Sequence, residues 1–198
     1  MLVVETHFAR RARSTPLTSL QRQMVVGSLL GDGTLLPTTS GSCFRVHHGK
    51  HQRNYVDWKY KILERYVRTA PNVCRNGYYF RTVTHPEFSQ LRRLYYDRKR
   101  KIVPIEELER DLTSFGLAVW FMDDGASDGK QVRINTQSFS IEENEMIVAL
   151  LRAKFGLEVR LNKDKDRYRL RLTAASMGRF RNLVSPHILP NMLYKLPP

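Results

Sequence analysis

Two aspartates, Asp32 and Asp124, each end an apolar stretch of helical character and precede a glycine. The stretches are VVGSLLGDG (Val25–Gly33) and LAVWFMDDG (Leu117–Gly125). A carboxylate at the carbonyl end of a helix opposes the helix dipole, so simple chain termination explains it poorly. A divalent cation removes the conflict, because carboxylate oxygens and helix-end carbonyls are both hard oxygen ligands. If the two helices pack together, their carboxylates serve one centre, and paired metals hydrolyse phosphodiesters. Gly27 and Gly31 share a face of the first stretch and leave room for a second helix.

The segments belong to a longer repetition. Asp32 and Asp124 are 92 residues apart; CFRV (Cys43–Val46) parallels QVRI (Gln131–Ile134), 88 apart at Arg45 and Arg133. Phe88 and Leu91 recur as Phe180 and Leu183 after 92 residues, and KIVP (Lys101–Pro104) recurs as KLPP (Lys195–Pro198) after 94. Ordered matches at nearly constant offset indicate tandem duplication. The reading divides the chain into a basic arm (1–16), a first repeat (17–104) and a second (105–198).

Each repeat needs elements to carry these residues. Thr18 and Gln21 have capping-box spacing and start a helix running to Gly31; Ser140 and Glu143 start another. The latter has an apolar stripe at Ile147, Leu150, Leu151 and Phe155 and a glycine stop at Gly156. Its counterpart carries Tyr55, Trp58, Ile62, Leu63 and Tyr66. Strands are expected at Val159–Lys163 and Arg167–Leu172, and final helices near Pro86 and Met177. The predicted class is α+β, an αββαββα repeat given twice. Glu106–Asp111 reads as an acidic joint of helical character between repeats, and Arg10-Arg11-Ala12-Arg13 reads as a flexible arm.

Charge suggests what the strands meet. The 198 residues hold 33 Lys and Arg against 19 Asp and Glu, a net +14. Such a surplus suits polyanions, and 23 arginines against 10 lysines favour nucleic acid over an anionic bilayer. Period-two alternation sends Arg167, Arg169 and Arg171 to one face, away from Tyr168, Leu170 and Leu172. Arg133, Asn135, Arg160 and Lys163 extend that set, and Arg45, His47, Arg75, Tyr79 and Arg81 form its first-repeat equivalent. A merely solvated face would mix signs, whereas these suit a DNA major groove. Residues 1–101 carry 19 basic and 6 acidic groups, residues 102–198 carry 14 and 13. The polyanion pull therefore belongs mostly to the first half.

The paired motifs, with FMDDG, INTQSFS and MLYKLPP, resemble the LAGLIDADG homing endonucleases of the single-chain, intron-encoded branch, over Leu17–Pro198. That resemblance implies a saddle of two antiparallel sheets on a long asymmetric double-stranded DNA target, with the motif helices at its centre. It implies a monomer cutting both strands. It makes Asp32 and Asp124 the metal ligands, supported by the carbonyls of Gly31 and Asp123. The metal would be Mg²⁺, with Mn²⁺ substituting and Ca²⁺ supporting binding without cleavage. Lys101 and Lys195 fall beside the scissile phosphates, and Gln137 organises active-site water. Gly31 departs from the family pattern without affecting the ligand aspartate.

Other readings are an RNA-binding maturase acting on its own intron, and a transcription regulator on a decayed scaffold. Both aspartates and both lysines argue against decay. His47, His48, His51 and Asn54 suggest an HNH nuclease, but the separated second strand and helix histidine are missing. Two cysteines, no secretory layout and no long apolar run point to an intracellular protein sharing a bacterial cytoplasm or organelle with its DNA, away from membranes.

Overall fold

The computed structural model describes residues 6–197. Thr6 opens a short helix, α1 (His7–Ser14), by accepting the Ala9 N–H on its hydroxyl. The expected flexible arm is corrected over this span, since Ala12 is buried and Arg13 is anchored. Arg13 Nε donates to the Thr84 carbonyl and Nη2 to Ser40 Oγ, both at 3.1 Å. Arginine-rich composition suggests a solvated tail, but a small residue on the inner face lets the turn dock. Residues 1–5 of that arm, and Pro198 of KLPP, lie outside the described span.

The first motif helix, α2 (Ser19–Leu30), starts on the expected pair. Gln21 N–H donates to Thr18 Oγ1 (3.3 Å), and Thr18 N–H to Gln21 Oε1 (2.9 Å). The chain packs into two compact units. Among the described residues, one holds those up to Val25 and Asp32–Arg93; the other holds Val26–Gly31 and those from Leu94 onward. The last turn of α2 thus belongs to the second unit.

The first unit contains β1 (Thr34–Thr38), β2 (Gly41–His48), α3 (Arg53–Leu63), β3 (Asn72–Cys74), β4 (Gly77–Arg81) and most of α4 (Pro86–Tyr95). Its strands form an antiparallel sheet in the order β1-β2-β4-β3. Leu35, Phe44, Val46 and Phe80 alternate onto the buried face, with α3 and α4 against it through Tyr55, Val56, Leu63 and Phe88. Trp58 and Ile62 of the expected stripe are only half-buried, and Lys59 is fully buried with its ammonium 4.4 Å from the Tyr55 ring centre.

The second unit opens on a two-residue hairpin, β5 (Tyr96–Asp97) and β6 (Arg100–Lys101), absent from the sequence reading. The acidic joint is helical, as α5 (Ile105–Asp111). It is followed by α6 (Ser114–Asp124), β7 (Gly125–Asp128), β8 (Gln131–Ile134), α7 (Ile141–Phe155), β9 (Val159–Asp164), β10 (Arg167–Leu172) and α8 (Met177–Val184). The strand order β7-β8-β10-β9 repeats that of the first sheet. The capping box at Ser140–Glu143 and a left-handed Gly156 bound α7 as expected. The α+β class and the twice-given antiparallel sheet are therefore observed. Cys43 and Cys74 are both free thiols, and burial raises the Cys43 pKa against the lowering pull of Arg81 and Arg45. Among the described residues no helix is long and apolar enough to cross a membrane.

Candidate active site and nucleic-acid interface

Within the second unit the end of α2 lies tightly on α6. A β-carbon added at Gly27 would collide with the Gly116 carbonyl and stand 2.9 Å from Val119 Cβ. One added at Gly31 would stand 2.8 Å from Asp123 Oδ2. Both glycines therefore serve the close approach that their spacing suggested. Asp123 is buried by this contact. Asp124 is half-buried at the helix end, where its carbonyl accepts the Asn135 N–H at 3.0 Å and Gly125 N–H closes on Phe121 O.

Each motif end receives a lysine. Lys101 Nζ donates to the Gly31 carbonyl, and Lys195 Nζ donates to the carbonyls of Met122 and, at 3.0 Å, Asp123. Gly31 and Asp123 are the residues preceding the two motif aspartates, so the pairs are equivalent by the repeat. These carbonyls are at the negative ends of the helices, where an ammonium is favoured. Lys195 is buried, Lys101 half-buried.

Glu143 holds Arg100 and Val103, on either side of Lys101 in the chain. One Glu143 oxygen accepts Arg100 Nη1 and Ser140 N–H (both 2.7 Å); the other accepts Val103 N–H (3.3 Å). Burial would raise the Glu143 pKa, but the Ser140 N–H, Arg100 and Val103 N–H together bring it below its ordinary value. The sequence showed Glu143 only as a helix cap.

In the first unit, Asp32 is half-exposed and its Oδ2 is 3.4 Å from Nδ1 of the buried His48 ring. Sequence reasoning tied His48 only to an HNH alternative. Strand parity puts His48 on the sheet's inner face, the signal that could have found it.

The outer sheet faces carry the predicted arginines. In the first unit Arg45 pairs with Arg81 and His47 with Tyr79 across β2 and β4. Arg45, Tyr79 and Arg81, with Arg13 and Arg68, line a concavity of about 920 Å³. Arg75 lies in the β3–β4 turn rather than on a strand. In the second unit Arg171 pairs with both Arg133 and Arg160, and Arg169 with Asn162. Asn135 is exposed just past the end of β8, in phase with Arg133. Lys163 is corrected, because it pairs with Tyr168 in phase with Leu161 and Leu170, on the opposite face. Asn162 occupies the arginine face instead.

Gln137 is not brought to a lysine or a motif carboxylate by its side chain. Its amide donates to Asp164 Oδ2 at 2.8 Å, and its carbonyl accepts Arg167 Nη1 at 2.8 Å. That hydrogen bond, aided by Arg169, lowers the Asp164 pKa against partial desolvation.

Two sheets of one topology, two Asp-Gly helix ends and a lysine on the carbonyls at each end define a tandem-motif α+β scaffold. Residues 22–180 match the model of the LAGLIDADG DNA endonuclease family, and the chain belongs to that family. It is 32% identical over 200 residues to the RecA protein of Mycolicibacterium chitae, covering 92% of this chain and 47% of that one. It thus spans about half the length of that curated relative. It is 27% identical over 198 residues to the cytochrome b mRNA maturase bI2 of Debaryomyces hansenii (91% and 75% covered). The fold matches the homing endonuclease I-WcaI bound to its DNA recognition sequence, at TM-score 0.89 and 24% identity, covering 98% and 94% of the two chains. It also matches I-DmoI in complex with DNA and Ca, at TM-score 0.57 and 14% identity, covering 89% and 97%.

Proposed function

We propose that this chain is a monomeric, divalent-metal-dependent endonuclease that cuts both strands of a long asymmetric DNA site. The observation that carries the reading is the repeated lysine–carbonyl pair, Lys101 on Gly31 and Lys195 on Asp123. Cutting a duplex breaks two phosphodiesters, one in each strand, and a repeated basic group beside a repeated aspartate supplies one set of groups per strand. The repeats 17–104 and 105–198 each contribute one set.

The donor set fits a hard cation. Carbonyls at both motif ends already gather around an ammonium, and the adjoining Asp32 and Asp124 supply carboxylates. Asp32 and Asp124 would hold the ions, with Gly31 and Asp123 carbonyls in support. Mg²⁺ is the working ion, Mn²⁺ substitutes, and Ca²⁺ supports binding alone. When bound, the metal lowers the pKa of water and screens the phosphate. The lysines donate to the scissile phosphate, offset its growing negative charge and orient water beside it. The arginine faces hold the duplex in register.

The test is cleavage of a plasmid library of randomised inserts, with Mg²⁺, with Ca²⁺ and with chelator. Linear product only with Mg²⁺, always at one insert sequence, supports the reading. Binding without any cutting under every metal condition refutes it. The likeness to the maturase bI2 favours a second reading, in which the scaffold assists splicing of intron RNA. Retained splicing of the host intron in an Asp32→Asn, Asp124→Asn double variant would support it.

A further inference from the structure

The outer faces of the two sheets differ in a way that total charge conceals. Strands β1–β4 contain no acidic residue, and among the described residues neither Arg45 nor Arg81 has a carboxylate partner. The second sheet carries two aspartates on its arginine face. Asp128 Oδ1 lies 3.9 Å from Arg133 Nη1 and its Oδ2 3.4 Å from Arg171 Nε. Asp164 Oδ1 lies 3.5 Å from Arg169 Nη2, while its other oxygen accepts the Gln137 amide, whose backbone carbonyl accepts Arg167.

These contacts run across strands. Asp128 is on the edge strand β7, Arg133 on β8 and Arg171 on β10, so one carboxylate joins three strands. Asp164 and Gln137 do the same for β9, β10 and the segment after β8. Four arginines of the predicted interface thereby lie within ion-pair or hydrogen-bond reach of two acids, directly or through Gln137, and Arg171 Nε meets Asp128 as an ion pair without a hydrogen bond. The Arg133, Arg169 and Arg171 side chains are a third exposed or thereabouts, so part of each still faces solvent.

A free arginine on a groove-facing sheet follows the nearest phosphate, which carries no sequence information. An arginine held by a carboxylate loses part of its attraction for phosphate and keeps its fork aimed in one direction, as bidentate reading of a guanine edge requires. We infer that Asp128 and Asp164, with Gln137, are positioning residues that commit the second sheet to base reading, while the first sheet grips the DNA backbone. Specificity is thus concentrated in the half-site under β7–β10. The inference rests on the DNA-cutting reading above and adds to it which half of the target is read most strictly.

The experiment uses the full chain and duplexes that the wild-type protein selects from a randomised 30-base-pair pool. Asp128→Asn, Asp164→Asn, Gln137→Ala and the charge-retaining Asp128→Glu are compared for affinity to the selected duplex, to its single-base variants and to random duplex, over a NaCl series. Each aspartate-to-asparagine variant should bind random duplex about 3-fold or more tightly, with the log–log salt slope steeper by roughly 1. Discrimination should fall about 10-fold at two or three adjacent positions of one half-site and stay unchanged in the other. Gln137→Ala should reproduce the Asp164→Asn pattern more weakly, and Asp128→Glu should restore most of the discrimination. Unchanged slopes and base preferences would overturn the inference and leave simple surface ion pairs. A new preference at one base with no change on random duplex would also overturn it, because the aspartate would then be reading a base itself. If the wild-type protein selects no sequence, the DNA-cutting reading itself fails; if it selects and cuts while the variants match it, only the positioning role fails.

Discussion

Replacing Lys195 and Lys101 by methionine separates chemistry from helix capping. Methionine keeps the length of the side chain and removes the ammonium. Lys195 is buried and bonded to two carbonyls at the end of α6; Lys101 is half-buried on one. A hydrogen bond with a charged partner contributes about 1.5–3 kcal/mol, and an ammonium at a helix C-terminus about 0.3–1. Part of this is offset because the variant no longer buries a charge. Lys195→Met should therefore lose roughly 2–3 kcal/mol, or about 4–12 °C in melting temperature at this size. Lys101→Met should lose about 1 kcal/mol, since solvent can reach the carbonyl it leaves. Cleavage behaves differently. If both lysines act on phosphates, each variant should slow its own strand by about 100-fold or more, well below either melting temperature, with little change in affinity. Thermal unfolding, filter binding and strand-resolved cleavage under DNA saturation measure the three quantities. If Lys101→Met cuts at the wild-type rate while Lys195→Met is both unstable and inactive, the lysines are helix caps and the catalytic reasoning is wrong.

Asp32→Asn or Asp124→Asn should abolish double-strand cleavage and leave target affinity within about 3-fold, because phosphate and groove contacts supply most of the affinity. Glu143→Gln should destabilise by about 2 kcal/mol near neutral pH. Its folded pKa is depressed, so the stability from its charge is present above its ordinary pKa of 4.5 and is lost as pH falls through the folded value. Urea unfolding should accordingly show the gap between variant and wild type closing below pH 4.5, whereas a constant gap down to pH 3 would remove the charge from the explanation. Gly27→Val should prevent α2 from seating on α6 and yield little folded protein, as read by circular dichroism and yield, since its side chain would meet the Gly116 backbone.

Much of the scaffold was legible because it is written in local chemistry. Thr18 and Gln21, Ser140 and Glu143, and Gly156 state their helix ends within four residues of sequence, and the Arg167–Leu172 strand states its two faces by alternation. The lysines were legible through repetition, since Lys101 and Lys195 stand at matching offsets from the aspartates. What escaped depends on partners brought from elsewhere. Arg13 looked solvated until Thr84 and Ser40, from distant loops, came to it. Lys163 was chosen for its charge against its own strand phase, and the register with Tyr168 decides otherwise. Gln137 carries an amide that suits water or a carboxylate equally, and only the folded hairpin brings Asp164 within reach. His48 and Asp32 are separated by a hairpin turn, so their contact appears only once β1 and β2 pair.

The lysine contacts also set an order of assembly. Lys101 is separated from Gly31 by 70 residues, and Lys195 from Asp123 by 72, whereas each sheet joins two hairpins through one central pairing, 36 residues apart at Arg45–Arg81 and 38 at Arg133–Arg171. Closing the longer loop costs, at (3/2)RT ln n, about 0.6 kcal/mol more than closing the central pairing of a sheet. Surfaces proposed to hold DNA can thus form from shorter-range pairings, while the groups proposed to break it arrive only when a whole repeat has closed. A partly folded chain would then be a binder and not a cutter. If the chain cuts DNA as proposed, competence to cut becomes a readout of complete folding.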